Sequence, residues 1–386
     1  MDALLKACID GKLTEVRSFI QEGADVNNVD EDDNTPIILA AMKGHVEIVK
    51  ALIGAKADVN FRNDDGVTAL IIASENGHIE TVDVLVRAGA GVNVFDFKGN
   101  SSIIVASKNG HTETVQKLID YGADVNDINN SSYTPLMLSS LNGHVETVGV
   151  LIDRGADVND VDEDDNTPII LASMKGHVEI VQALIGAKAD VNSVNNYGYT
   201  PLMLASSYGH IETVRILIDN SADINYARIV DGYTSLILAV EYGHIETVKA
   251  LIDAGADVNA ETHDGDTALI LAAENGVVET VDVLVRAGAN VNAENHNRDT
   301  ALILAVTNGH IETVRILIDN GANHHDIINR DGYSLMQIAL DHDYQNIVKI
   351  LQSANLPPEL KGAGKQKKKT VKKSRKSKKT RRNKRR

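Results

Sequence analysis

Tryptophan is absent from this chain of 386 residues, phenylalanine occurs four times, proline six times and cysteine once. With so few aromatic rings, an apolar fraction of 43% must come from Leu, Ile, Val and Ala, which implies a core made between helices. The lone cysteine, Cys8, excludes an internal disulfide framework and a cysteine-rich zinc site and fits a reducing compartment; it is expected as a buried thiol in the first helix. The amino terminus, MDALLKACIDGK, lacks the basic start and apolar stretch of a secretory signal. No unbroken apolar run approaches the roughly 18 to 20 residues of a membrane span. The expectation is an intracellular, soluble monomer, nuclear or cytoplasmic, with no membrane association.

Charge is unevenly distributed. The net value of −16 conceals a terminal segment, residues 361–386, with sixteen Lys or Arg and no acidic side chain, which leaves 22 basic against 54 acidic residues, or −32, on the remainder. Two electrically opposite parts need separate explanations.

Length alone would allow two or three ordinary domains, but internal repetition decides the organisation. A Gly-His pair, followed in most copies by an apolar residue and Glu, recurs at Gly44, Gly77, Gly110, Gly143, Gly176, Gly209, Gly243 and Gly309, with variants at Gly11, Gly276 and Asp343. Successive spacings are 33 residues apart from two of 34, giving eleven units. In the unit around residues 30–60, Pro36 suits the first turn of a helix, because its missing N–H would be unpaired there, and Thr35 is placed to cap it. This helix is expected to run to about Lys43 and to end at Gly44, which can adopt a left-handed conformation. A second helix then places Val46, Val49, Leu52 and Ile53 on one face, with Glu47 and Lys50 outward. Neither helix can bury its apolar face alone, so the units must stack.

The 33-residue period, the Thr-Pro-Leu and Gly-His elements and the Ala-Asp-Val-Asn turn together resemble ankyrin repeats over residues 1 to about 355. The resemblance implies an all-α solenoid of about eleven helix-turn-helix units with β-hairpin loops over residues 1–355, followed by a disordered basic tail over 356–386. One departure is systematic. The His that follows Thr-Pro-Leu in the family is replaced by Ile38, Ile71, Ile104, Met137, Ile170, Met203, Ile237, Ile270 and Ile303, so apolar packing is expected in place of its hydrogen bond. Residues 29–60 and 161–192 differ only at Ala41 against Ser173 and Lys50 against Gln182, which points to block duplication. This repeat style, with its Lys/Arg tail, is similar to that of ankyrin proteins of giant, mimivirus-like DNA viruses, whose setting would be a host cell.

Little in the sequence points to catalysis or to a cofactor. His45, His78, His111, His144, His177, His210, His244 and His310 share one repeat position, and an eightfold residue is expected to be structural. His324 and His325 are adjacent, but without Cys partners they make a poor metal site, and none is expected. The acidic clusters at 30–33 and 162–165 lack the ligand spacing of a calcium loop and are read as solvated hairpin tips. No phosphate-binding glycine loop, Gly-x-Ser-x-Gly turn or kinase motif is present. Asn60, Asn159, Asn192 and Asn259 match the turn hydroxylated in some ankyrin proteins, although a turn-stabilising role is the simpler reading.

Binding is expected on the face that the resemblance assigns to hairpin tips and first helices. Six of ten tyrosines lie between residues 197 and 242. Tyr199 and Tyr233 precede the Thr of consecutive units, and Tyr208 and Tyr242 precede their Gly-His pairs. The four are expected to form one patch for a protein partner, the alternative being hairpin tyrosines that pack on neighbouring hairpins.

The tail residues Lys367, Lys368, Lys369, Lys372, Lys373, Arg375, Lys376, Lys378, Lys379, Arg381, Arg382, Lys384, Arg385 and Arg386 are too charged to fold alone. They fit nuclear import, non-specific binding of nucleic-acid phosphates, fold-back onto the acidic body, or simple solubilisation. Without aromatics they offer no base stacking. Leu356 to Leu360, LPPEL, resembles the opening of an F-box, but no length remains for that module's helices. The sequence thus supports a protein-binding scaffold whose tail directs it to the nucleus or to nucleic acid, with a tail-driven nucleic-acid-associated protein as the alternative.

Overall fold

The computed structural model describes residues 2–325 and 327–354. Among them are twenty-two α-helices and no sheet, paired into eleven repeats. The helices are only 7 to 10 residues long. Isolated helices shorter than about 12–15 residues are marginal in water, so packing between helices must hold them.

A Thr in extended conformation opens most first helices, and its Oγ1 accepts the N–H three residues on at Thr68, Thr134, Thr167, Thr200, Thr234, Thr267 and Thr300. Thr35, expected to do the same, makes no such bond, and its buried Oγ1 has no hydrogen-bond partner. There the start falls to Pro36, whose fixed φ already suits a helix. The helix Pro36–Met42 is buried from Pro36 through Ala41, as a segment apolar on every side should be. The nine Ile and Met residues that replace the family His are all 2% exposed or less.

The second helix, Val46–Gly54, buries Ile48, Val49 and Leu52, while Val46 and Ile53 are half-buried. Val49 and Leu52 are thus in the core as expected, while Ile48 takes the place of Val46 and Ile53. The same positions are Thr81, Val82 and Leu85 in the helix Ile79–Arg87, so the first of them is β-branched in both helices. Cys8 is fully buried in the helix Ala3–Ile9, and burial pushes its thiol up to about 12.

Packing divides the chain into two compact units, Met1–Val230 and Asp231–Arg386, with fourteen and eight of the described helices. Within each, first helices pack on first helices and second on second: Pro36–Met42 lies on Ala69–Glu75, and Val46–Gly54 on Ile79–Arg87. The hairpins are reduced to tight turns, and only single antiparallel bridges form, Phe95–Ser101 in the first unit and Glu261–Thr267, Glu294–Thr300 and Ile328–Ser334 in the second. The turns are closed by side chains: Asp30 Oδ1 accepts the N–H of Asp32 at 3.0 Å and of Asn34 at 2.8 Å. Asp162 makes the equivalent bonds and is 4% exposed. Of the acidic clusters read as solvated tips, the first residue is thus a turn-closing acceptor, and Glu31, Asp32, Glu163, Asp164 and Asp165 are the exposed charges.

Candidate partner-binding site

Two ladders of side-chain bonds hold successive repeats in register and position the face that could bind. The first uses the repeat histidines. His45 Nε2 lies 3.2 Å from Ile9 O, His78 3.1 Å from Met42 O, His111 3.0 Å from Glu75 O and His144 2.9 Å from Lys108 O. His177, His210 and His310 repeat the bond to Leu141, Met174 and Glu274. A carbonyl only accepts, so each ring carries its proton on Nε2 and donates. His244 occupies the same position before the helix Ile245–Asp253. The rings of His45, His78, His111, His144, His177, His210 and His310 also lie over the glycine that ends the preceding repeat's first helix: a Cβ on Gly110 would fall 2.4 Å from His144 Nδ1. Glycine is therefore required at Gly110 twice, by its φ of +73° and by the ring above it. Val277 takes the histidine's place in one repeat, and Tyr344 covers Gly309 in the last.

The second ladder is made by the turn asparagines. Asn60 Oδ1 accepts the N–H of Gly91 at 2.8 Å, and its Nδ2 donates to Gly89 O at 3.1 Å. Asn159 accepts from Asp190, Asn192 from Asp223, and Asn259 from Asn290. The four candidate hydroxylation residues thus have side chains committed to the next repeat. The His324 and His325 rings lie 4.2 Å apart, tilted at 36°, and His324 Nδ1 lies 3.1 Å from Ala322 O.

The candidate tyrosines divide between the two compact units. In the first, Tyr208 ends the helix Pro201–Ser207, is 55% exposed and stacks beside His210. Tyr199 is half-buried, and the Arg228 guanidinium lies over its ring at 4.3 Å. Tyr197, at the same turn, donates to Asp164 Oδ1 at 3.0 Å. In the second unit, Tyr242 ends the helix Ser235–Glu241 and is 57% exposed, and Tyr233 is half-buried at the preceding turn. Tyr208 and Tyr242 therefore occupy equivalent places in their repeats. The tail residues 367–386 and the LPPEL segment lie outside the described residues.

Phe97 is an exposed aromatic that the sequence reading passed over. It is 64% exposed at a hairpin tip, with the Arg62 guanidinium 5.2 Å from its ring centre. It lines a groove of about 630 Å³ in the first unit, floored by Ile38, Ile71, Ile72 and Val105. Asp32, Asp64, Asp65, Glu75 and Asp96 line the same groove, together with two lysines, Lys98 and Lys108. Asp33 beside Asp64 holds that carboxyl above its ordinary range, with burial adding to the effect. The signal in the sequence is the alternating phenylalanine of Phe95-Asp96-Phe97, a second aromatic cluster beside the tyrosines.

Away from this face, several charges are paired. Asp83 accepts from Tyr121 at 2.5 Å and lies 2.8 Å from Lys117 and 2.9 Å from Arg87, and the hydrogen bonds from Lys117 and Tyr121 bring its carboxyl down to about 2. Lys249 bridges Glu246 and Glu279, each at 2.8 Å, tying two second helices together. Among the described residues, no group of three or more His, Cys, Asp or Glu side chains is placed to hold a metal ion. No described helix is long and apolar enough to cross a membrane.

A seam of rings over glycines, repeated every 33 residues between short paired helices, defines a helical repeat array. The family model described as ankyrin repeats (3 copies) matches residues 4–96, 89–162, 151–228, 225–295 and 269–360, and the chain belongs to the ankyrin-repeat family. The crystal structure of the human ASB11 ankyrin repeat domain is similar, with a TM-score of 0.53 and 28% identity, covering 58% of this chain and 99% of that one. No curated protein matches the chain. Ankyrin repeats are in general protein–protein interaction modules, and the fold is typically a non-enzymatic scaffold.

Proposed function

We propose that the chain is an interaction scaffold or adaptor, acting as a monomer, that binds a protein partner along its hairpin tips and first helices. Tyr199, Tyr208, Tyr233 and Tyr242 are its anchors. The observation that carries this reading is the exposure of Tyr208 and Tyr242, 55% and 57%, at equivalent helix ends in a chain otherwise poor in aromatics. A tyrosine there buries a large ring at little rotamer cost while its hydroxyl finds a partner. The Arg228–Tyr199 pair combines two residue types that dominate interface energetics.

The basic segment, residues 361–386, serves nuclear targeting or association with nucleic acid. Its charge density favours phosphate contact through counterion release, without base readout. The repeat style supports a viral source and action in a host cell's nucleus or cytoplasm. A second reading makes nucleic acid the main partner, with the repeats as its tether, and the same charge density favours it.

Capture from nuclease-treated lysate separates the two. The full chain is expected to retain a partner that the variant carrying Tyr→Ala at 199, 208, 233 and 242 loses, while deletion of 361–386 leaves capture intact. Retention by the tyrosine variant together with loss on tail deletion would favour the second reading.

A further inference from the structure

The hairpin tip beside Phe97 has a near-copy in the same compact unit, and the two are closed differently. Residues 29–60 and 161–192 are almost identical, and the tips that follow them align as Asn63-Asp64-Asp65-Gly66 and Asn195-Asn196-Tyr197-Gly198. Their register is the same: Asn63 Nδ2 donates to Asn34 Oδ1 and Asn195 Nδ2 to Asn166 Oδ1, each at 2.8 Å. The second copy satisfies itself. Asn196 Nδ2 donates to Glu163 O at 3.2 Å, and the Tyr197 hydroxyl donates to Asp164 Oδ1 at 3.0 Å. A Cβ on Gly198 would meet the Arg228 side chain at 2.6 Å, and that guanidinium covers the Tyr199 ring.

In the first copy each of these donors is exchanged for something else. Asp64 and Asp65 stand where Asn196 and Tyr197 do, and ionised carboxylates only accept, so neither can bond the Asp32 carboxylate. Asp33 beside Asp64 adds a further negative charge. Among the described residues, Asp32, Asp64 and Asp65 have no ion-pair partner, whereas Glu47, Asp83 and Asp120 in the same unit do. Gly66 is covered by the Phe97 ring in place of an arginine, at 2.8 Å from where its Cβ would be, and that ring remains 64% exposed. Arg62 is held to Phe95 O on one side of the ring, and Lys98 and Lys108 leave the groove lining net acidic.

The first copy has thus lost an amide, a hydroxyl and a guanidinium and gained two carboxylates and an aromatic face. What the second copy supplies from its own chain, the first is built to receive. We propose that the tip formed by Asp32, Asp64, Asp65 and Phe97 binds an arginine-rich segment of a partner protein, one guanidinium lying against the Phe97 ring and bonding the carboxylates. Arginine fits better than lysine because its planar fork stacks on a ring and meets carboxylates in pairs. The aliphatic floor of the groove takes the methylene stems. The inference rests on the reading of the chain as a protein-binding scaffold, but not on the four tyrosines.

A fluorescein-labelled peptide of alternating Arg and Gly, titrated into the full chain and read by anisotropy, tests this. At about 0.15 M salt the Debye length is about 8 Å, which damps attraction to the acidic body as a whole. D64N/D65Y rewrites the tip as its near-copy and should weaken binding about five- to tenfold, and F97A should weaken it as well. E146Q/E179Q removes the same charge from exposed positions on second helices and should change binding less than about twofold. The corresponding Lys-Gly peptide should bind more weakly. A loss in D64N/D65Y no larger than that in E146Q/E179Q, or equal affinity for the lysine peptide, would overturn the proposal. Should the variants misfold, an Arg-Gly peptide carrying a photo-cross-linker reads the unaltered chain. Its products should map to residues 31–108, and products spread evenly over all repeats would overturn the proposal too. The four-tyrosine variant should bind the peptide unchanged, so failure of the tyrosine reading in lysate capture is distinguishable from failure of this site.

Discussion

Gly110 and Gly243 hold the same repeat position, with φ of +73° and +77°, but they face different neighbours. A Cβ on Gly110 would lie 2.4 Å from the His144 ring, while one on Gly243 would meet nothing within 4 Å, because Val277 stands where the next histidine would be. Alanine at each position therefore separates two costs. The left-handed backbone costs an L residue about 1–2 kcal/mol and applies to both. Overpacking adds about 1–3 kcal/mol and applies to Gly110 alone. The expectation is about 1–2 kcal/mol for Gly243→Ala and about 2–5 kcal/mol for Gly110→Ala. Gly155, with φ of +86° and nothing within 4 Å, is a second control expected to match Gly243. Native-state hydrogen exchange of the full chain reads the local opening free energy at each helix pair, so no assumption of all-or-none unfolding is needed. Adding His144→Ala to Gly110→Ala removes the ring and should return the excess cost, less about 1 kcal/mol for the bond to Lys108 O. Equal costs at Gly110 and Gly243 would refute the claim that the ring enforces glycine.

The described bonds of the repeat-position histidines each span 36 residues, so Val277→His places its ring to donate to Glu241 O. Local opening around residues 235–286 should become about 0.5–1.5 kcal/mol harder, and an unchanged exchange rate would count against the register argument. Cys8, fully buried with its thiol pushed up to about 12, should react with an aromatic disulfide reagent only on unfolding; a native rate equal to that of a free thiol would contradict this burial. Asp83 is held near 2, below its ordinary 3.8, so it favours the folded state above about pH 4 and ceases to as pH falls through about 2. The stability difference between the native chain and Asp83→Asn should therefore be constant above about pH 4 and shrink below it. A difference that grows on acidification would reverse the assignment.

Much of the fold was legible because the same residue recurs at the same offset: helix ends at the glycines, histidines with a shared structural role, and aliphatic residues where the family has histidine. What a single repeat could not show were relations between repeats. The histidines bond a carbonyl 36 residues back, which no helical periodicity within a unit reveals. Thr35 and Thr68 stand in matching positions, yet only Thr68 caps its helix, a difference decided by local geometry. Burial of Ile48 in place of Val46 and Ile53 is set by packing between helices, information that apolar spacing within one helix does not carry. The boundary at Val230 had a visible sign in the 34-residue spacing, since Ile229 and Val230, 81% and 72% exposed, fall where the extra residue enters. Phe97 was hidden by its neighbours in sequence, because exposure of one ring in a hairpin depends on the turn that carries it.

The ring-over-glycine seam also bears on how such a chain can lengthen. In most repeats the first helix ends in a glycine and a carbonyl that receive a ring, and the second helix begins with a ring that needs both. Any copy can then follow any other without new side chains being selected at the join. Residues 29–60 and 161–192, nearly identical and four repeats apart, each present His45 or His177 to a different predecessor, and the same bond forms at 3.2 Å in both. A duplicated block inherits a working junction at each end, so copying whole repeats is structurally neutral at the seam. Sequence at the hairpin tips, away from the seam, is left free to vary.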